Sequence, residues 1–106
     1  MLEALLGSET RERVLLYVYT HKEAYSRELA QAFDYPVFRV QHQLARLEDG
    51  GVLYSRLVGR VRLYGLNPRN PLHRELEALL RAALRLVPDA ERERLYTPRL
   101  RPVTRS

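Results

Sequence analysis

Residues 26–66 read SRELAQAFDYPVFRVQHQLARLEDGGVLYSRLVGRVRLYGL, and the fold is decided by where this stretch starts and stops its helices. Ser26 can cap a short helix whose Leu29, Ala30 and Phe33 lie on one side. That helix ends at Asp34-Tyr35-Pro36, because proline disfavours helical geometry in the residue before it. Proline is well tolerated in a first turn, so a new helix starts at about Pro36 and runs to Asp49. Val37, Val40, Leu44 and Leu47 line its core face, and Gly50-Gly51 stops it with the left-handed geometry that glycine accepts. Residues 52–57 and 61–66, rich in β-branched and aromatic side chains, then form a hairpin around Val58-Gly59-Arg60.

Upstream, Ser8 caps a helix from about Glu9 to His21, with Val14, Leu15 and Val18 at core spacing. Leu2, Leu5 and Leu6 precede it across Gly7 as a short helical arm. Downstream, Asn70-Pro71 opens a fourth helix that extends to about Val87. Leu72, Leu76, Leu80, Ala83 and Val87 form its apolar stripe, widened by Leu79 and Leu84. The stripe exceeds what one small domain needs to cover, so it is expected to pair with a second copy across a two-fold axis, with the N-terminal leucines joining the seam. Residues 1–87 are thus one domain with a C-terminal dimerisation helix. Residues 88–106 are expected to be a basic, disordered tail.

Two close helices joined by a tight break, followed directly by a hairpin, are the helix-turn-helix arrangement with a wing. The residues that carry the pattern are Ser26-Arg27-Glu28-Leu29-Ala30, the run from Val40 to Leu53, and the wing from Arg56 to Asn67. In them the sequence resembles winged helix-turn-helix transcriptional regulators of the ArsR-like and MarR-like type. Leu5-Leu6-Gly7-Ser8 and Leu66-Asn67-Pro68 are also similar to winged helices found near, or fused to, bacterial nucleotidyltransferases. The resemblance implies an α+β, mainly α fold and sequence-specific binding to double-stranded DNA. It also leaves a second reading, a protein-interaction or regulatory module partnering a nucleotidyltransferase without sequence-specific DNA binding. Where the pattern has a hydroxyl residue at the start of the recognition helix, this chain has Tyr35-Pro36.

On the third helix, the face opposite the core presents Phe38, Arg39, His42 and Arg46, flanked by Gln41 and Gln43. Arginine pairs with guanine, glutamine with adenine, and Phe38 suits a thymine methyl. Arg56, Arg60 and Arg62 place charge on the wing for phosphates or a narrow minor groove. Charge over the 106 residues is lopsided. Residues 1–51 hold six basic and eight acidic side chains, a net of −2, whereas residues 52–106 hold twelve and five, a net of +7. No acid lies between Asp49 and Glu75. Such a one-sided field favours a polyanionic partner.

Other classes find little support. The chain has no cysteine, which removes disulfides, thiolate metal sites and thiol nucleophiles. His21, His42 and His73 lack ligand spacing, so neither a metal nor a cofactor is expected. No paired carboxylates, phosphate-binding glycine loop or nucleophile motif points to an enzyme. No run approaches ~20 apolar residues, and Met1-Leu2-Glu3 does not begin a signal peptide, so a cytoplasmic location is the expectation.

Overall fold

The computed structural model describes residues 6–98. Its elements in chain order are α1 (Glu9–His21), α2 (Ser26–Phe33), α3 (Val37–Asp49), β1 (Leu53–Val58), β2 (Val61–Leu66), α4 (His73–Leu84) and α5 (Asp89–Leu95). The architecture is mainly helical, with one two-stranded antiparallel sheet.

All five helices and β1 contribute buried side chains to one core. Val14, Leu15 and Val18 of α1 meet Leu29 of α2, Val40 and Leu44 of α3, Leu53 of β1 and Leu80 of α4, all of them fully buried. Fully burying one such side chain is worth about 1.5–3 kcal/mol, so this cluster holds the helices to the sheet. Ser8 caps α1 by accepting a hydrogen bond from the Arg11 amide at 2.9 Å, as its position predicts. At the break after α2, Asp34 takes the left-handed conformation with φ 56°, and the Tyr35 amide returns to the Ala30 carbonyl at 2.9 Å.

α3 ends in a Schellman arrangement. The Val52 amide donates to the Leu47 carbonyl and the Gly51 amide to the Glu48 carbonyl, both at 2.9 Å. Gly51 has φ +77°, which glycine adopts without strain. The chain is thereby turned into the hairpin, whose register pairs Leu53 with Leu66 and Val58 with Val61. Only Gly59 and Arg60 remain in the turn, with Gly59 at φ +63° in the first central position. Ala24, between α1 and α2, forms an isolated bridge to the sheet by exchanging two backbone hydrogen bonds with Tyr64, at 3.0 and 2.8 Å.

The C-terminal part differs from the sequence reading in three ways. First, α4 begins at His73 rather than at Pro71, with Leu72 and not Asn70 in the N-cap position. The Asn70 side chain still caps, accepting the Leu72 amide at 2.8 Å, but it caps the turn that leads into the helix. Residues 85–87 continue past Leu84 only as a tightened turn. Second, Leu80 and Ala83, assigned to the dimer seam, lie in the chain's own core, because α4 turns that face onto α1. Leu76, Leu79, Leu84 and Val87 are half-buried against the same core, and Leu72 is 65% exposed. Third, the expected tail is structured through residue 98. α5 folds back so that Leu95 and Tyr96 are only 5% and 3% exposed, with the Tyr96 ring 6.1 Å from that of Phe33. Burial raises the ionisation of the Tyr96 hydroxyl above the ordinary tyrosine range. Residues 99–106, and Leu2 and Leu5 of the N-terminal arm, lie outside the described residues.

Leu95→Ala is expected to destabilise the protein by about 2–3 kcal/mol in urea unfolding, the lower part of the range for a buried leucine. A change below ~0.5 kcal/mol, the size typical of exposed positions, would mean that α5 is not part of the folded unit.

Candidate nucleic-acid interface

The site is built around the outward side of α3. Its buried positions, Val40, Leu44 and Leu47, fix the opposite direction as solvent-facing. Phe38, Gln41, His42, Ala45, Arg46 and Asp49 are all exposed there. Phe38 is 71% exposed, a large value for a phenylalanine.

Two of the expected base readers are engaged elsewhere. Arg39 donates from Nε to the Thr10 hydroxyl at 2.8 Å, and its guanidinium sits 3.9 Å from the centroid of the Tyr35 ring. Gln43 accepts a hydrogen bond at Oε1 from Arg11 Nε at 3.1 Å. Both side chains therefore lean from α3 toward the start of α1. Tyr35 anchors this side: its hydroxyl accepts from Arg13 at 3.1 Å, and its ring stacks on Phe33 at 5.9 Å. Tyr35, where the resemblance has a hydroxyl residue, thus ties the turn to α1 instead of offering a free cap. A concavity of about 680 Å³ lies between the two helices, lined by Ser8 and Thr10 on one side and Phe38, His42 and Gln43 on the other.

The opposite flank of α3 meets the wing. Ser55 donates to Glu48 at 2.5 Å, and Arg62 donates to the Ser55 hydroxyl at 2.9 Å. Arg62 and Ser55 share one face of the hairpin because Leu57 pairs with Arg62 and Ser55 with Tyr64. Burial, helped by the nearby Glu48 charge, raises the ionisation of the Tyr64 hydroxyl.

Arg56 lies on the other face and is not a free wing cation. It grips Glu23 through two hydrogen bonds, at 2.8 and 2.7 Å, and the Tyr54 hydroxyl donates to the same carboxylate. Tyr54 lies flat across Gly65, its register partner, where a Cβ would come within 2.6 Å of the ring. Hydrogen bonds from Arg56 and then Tyr54, opposed by partial burial, hold the Glu23 carboxyl at about 2. Glu23 escaped the sequence reading, since its partners lie more than 30 residues away. Arg60 at the turn and Arg62 enter no ion pair among the described residues.

The three histidines stay apart. His21 stacks on Tyr17, with centroids 3.8 Å apart, His42 is exposed on α3, and His73 faces Glu77 at 3.4 Å. Among the described residues no group of three or more His, Cys, Asp or Glu side chains converges on a metal position. No helix among them is long and apolar enough to cross a membrane.

Comparison with solved structures defines the architecture. The chain is similar to the YusO protein from Bacillus subtilis, with 20% identity and a TM-score of 0.61 over 86% of this chain and 72% of that one. It is similar to MepR, a transcription regulator of the Staphylococcus aureus multidrug efflux pump MepA, with 19% identity and a TM-score of 0.60 over 87% of this chain and 74% of that one. A variant of the S. aureus MepR bound to an oligodeoxyribonucleotide matches with 19% identity and a TM-score of 0.56 over the same shares. No protein-family model matches the sequence, and no curated protein matches it. The fold is therefore a winged helix-turn-helix, with α2 and α3 as the helix pair and β1–β2 as the wing.

The Glu23 cluster carries a pH signature. The carboxyl ionises lower in the folded protein than in the unfolded chain, where a glutamate lies near ~4.3. Its contribution is therefore complete above about 4.3 and is lost as pH falls through the folded value of about 2. Glu23→Gln should lower unfolding free energy near neutral pH by about 1 kcal/mol, the upper end for an exposed pair. The difference from wild type should shrink as pH falls below ~4.3. A gap that is constant with pH would show that the ionised carboxylate is not what holds the wing.

Proposed function

We propose that this chain is a sequence-specific DNA-binding transcriptional regulator that acts as a homodimer. The observation that carries the reading is the placement of an exposed α3 face beside wing arginines that no acid neutralises. Arg60 and Arg62 stand at the end of the hairpin, within the segment between Asp49 and Glu75 that holds no acidic residue. α3 has the length and exposure to enter a major groove, and the wing then reaches backbone or minor groove beside it. The oligodeoxyribonucleotide bound to the MepR variant is consistent with this use of the fold.

The second copy is assigned to the flank of α4 that the core leaves uncovered. Leu72 and Leu86 are 65% and 62% exposed, and Leu76 and Leu79 lie between them. Leu76 and Leu79 lie on α4 itself, and Leu72 and Leu86 flank its two ends, so the apolar edge runs the length of the helix. A groove of about 450 Å³ runs alongside, lined by Leu6, Leu15, Leu47, Leu72, Leu76 and Leu79. This seam replaces the one centred on Leu80 and Ala83, and the two-fold axis would set half-sites about one helical turn apart, roughly 34 Å.

Binding to duplexes selected from a random pool should fall steeply with salt, because each neutralised phosphate releases counterions. Arg60→Ala and Arg62→Ala should each weaken all duplexes alike and flatten the logarithmic salt slope by about one unit. Arg56→Ala, with its side chain already paired to Glu23, should leave that slope nearly unchanged. Failure of the wild type to bind any duplex at low salt would defeat the DNA reading in favour of a protein-interaction module. Sedimentation tests the dimer separately. Leu72→Glu combined with Leu86→Glu should give folded monomers, and a monomeric wild type at micromolar concentrations would remove the proposed seam.

A further inference from the structure

We propose that α3 reads the methyl groups of thymine in the major groove, with Phe38 as the specificity-determining contact; this rests on the duplex-binding reading above. Phe38, His42 and Ala45 are exposed and follow one another at i, i+4 and i+7, so they form the ridge that would lead into a groove. The start of that ridge carries no hydrogen-bonding group: Phe38 offers an aromatic ring that is 71% exposed. Its apolar surface gains a partner only when something apolar covers it. In a major groove the apolar feature of a base edge is the C5 methyl of thymine.

Two of the polar side chains near Phe38 are tied to α1, whereas Gln41 stays exposed beside it. Arg39, the cation next to Phe38, stands on Tyr35 with its Nε given to Thr10, so its orientation is set by α1 and the turn. The Gln43 amide oxygen already accepts from Arg11, so this glutamine is not free for a bidentate contact to adenine. Releasing either one breaks contacts that hold α3 to α1. Their arrangement makes them positioning residues that set the angle of α3 and leave Phe38 at its leading edge. The concavity beside Phe38, bounded by Ser8 and Thr10, leaves space for the strand that carries the contacted base.

The test uses the intact protein and a duplex recovered from a random pool, resynthesised with deoxyuridine in place of thymidine at one position at a time. Uracil pairs as thymine does and lacks only the methyl. At one or two positions the affinity should fall about fourfold, the equivalent of ~0.8 kcal/mol for one buried methyl-sized group. Phe38→Ala should bind thymine and uracil duplexes equally, and its exposed position spares the fold. Arg39→Ala should weaken binding while keeping the wild-type preference for thymine over uracil. Equal wild-type affinity for every uracil duplex would overturn the proposal while leaving duplex binding intact. So would a Phe38→Ala variant that keeps the wild-type preference for thymine over uracil. A protein that binds no duplex at all would defeat this inference together with the reading on which it rests.

Discussion

The carbonyl oxygen of Gly51 is the point on which three elements depend. It accepts hydrogen bonds from the side-chain amides of both Asn67, at 3.0 Å, and Asn70, at 2.9 Å. Gly51 is where α3 stops, Asn67 follows the wing, and Asn70 precedes α4. One acceptor therefore fixes the end of α3, the root of the hairpin and the approach of the next helix. The left-handed backbone at Gly51 makes this convergence feasible, since a side chain there would be strained. The Val52 carbonyl then accepts from the Asn67 amide at 2.9 Å, and Leu53 enters the core as the first residue of β1.

From that point outward, charge is divided between structure and surface. Arg11, Arg13, Arg39 and Arg56 are all oriented by internal contacts: with Gln43, with Tyr35 and Glu9, with Thr10 and Tyr35, and with Glu23. These tie the start of α1 to α3 and the end of α1 to the wing. Arg60 at the turn, and Arg62 held only by a hydroxyl, keep their full charge at the surface. A count of arginines overstates the basic surface, whereas their positions give it a direction. Hydrogen bonds to neutral groups orient a guanidinium without cancelling its field, whereas the bidentate grip on Glu23 does cancel it.

Much of this was legible in the sequence. The bounds of α1, the break at Pro36, the stop at Gly50-Gly51 and the hairpin all follow from short-range rules, because caps and turns are local events. α5 was not legible as part of the core, since Asp89–Leu95 carries little apolar periodicity and its burial comes from Leu95 and Tyr96 at one end. A signal was present nonetheless: Pro88 followed by acids in the first turn and arginines in the last is a helix signature. The roles of Arg39, Gln43 and Arg56 were hidden for a different reason. Their partners Thr10, Arg11 and Glu23 lie 29 to 33 residues away, and only the fold brings them together. The stripe on α4 misled because periodicity marks an apolar face without saying whether the chain itself or a second copy covers it.

The central claim is that the exposed side of α3 and the tip of the wing together form the nucleic-acid surface. Amide hydrogen exchange with and without a bound duplex tests it most directly, because protection is read residue by residue over the whole chain. The account predicts slowed exchange in the first turns of α3 and around Gly59 to Arg62, with α5 unchanged. Protection confined to α4 and α5, or a duplex that protects no part of α3, would contradict it.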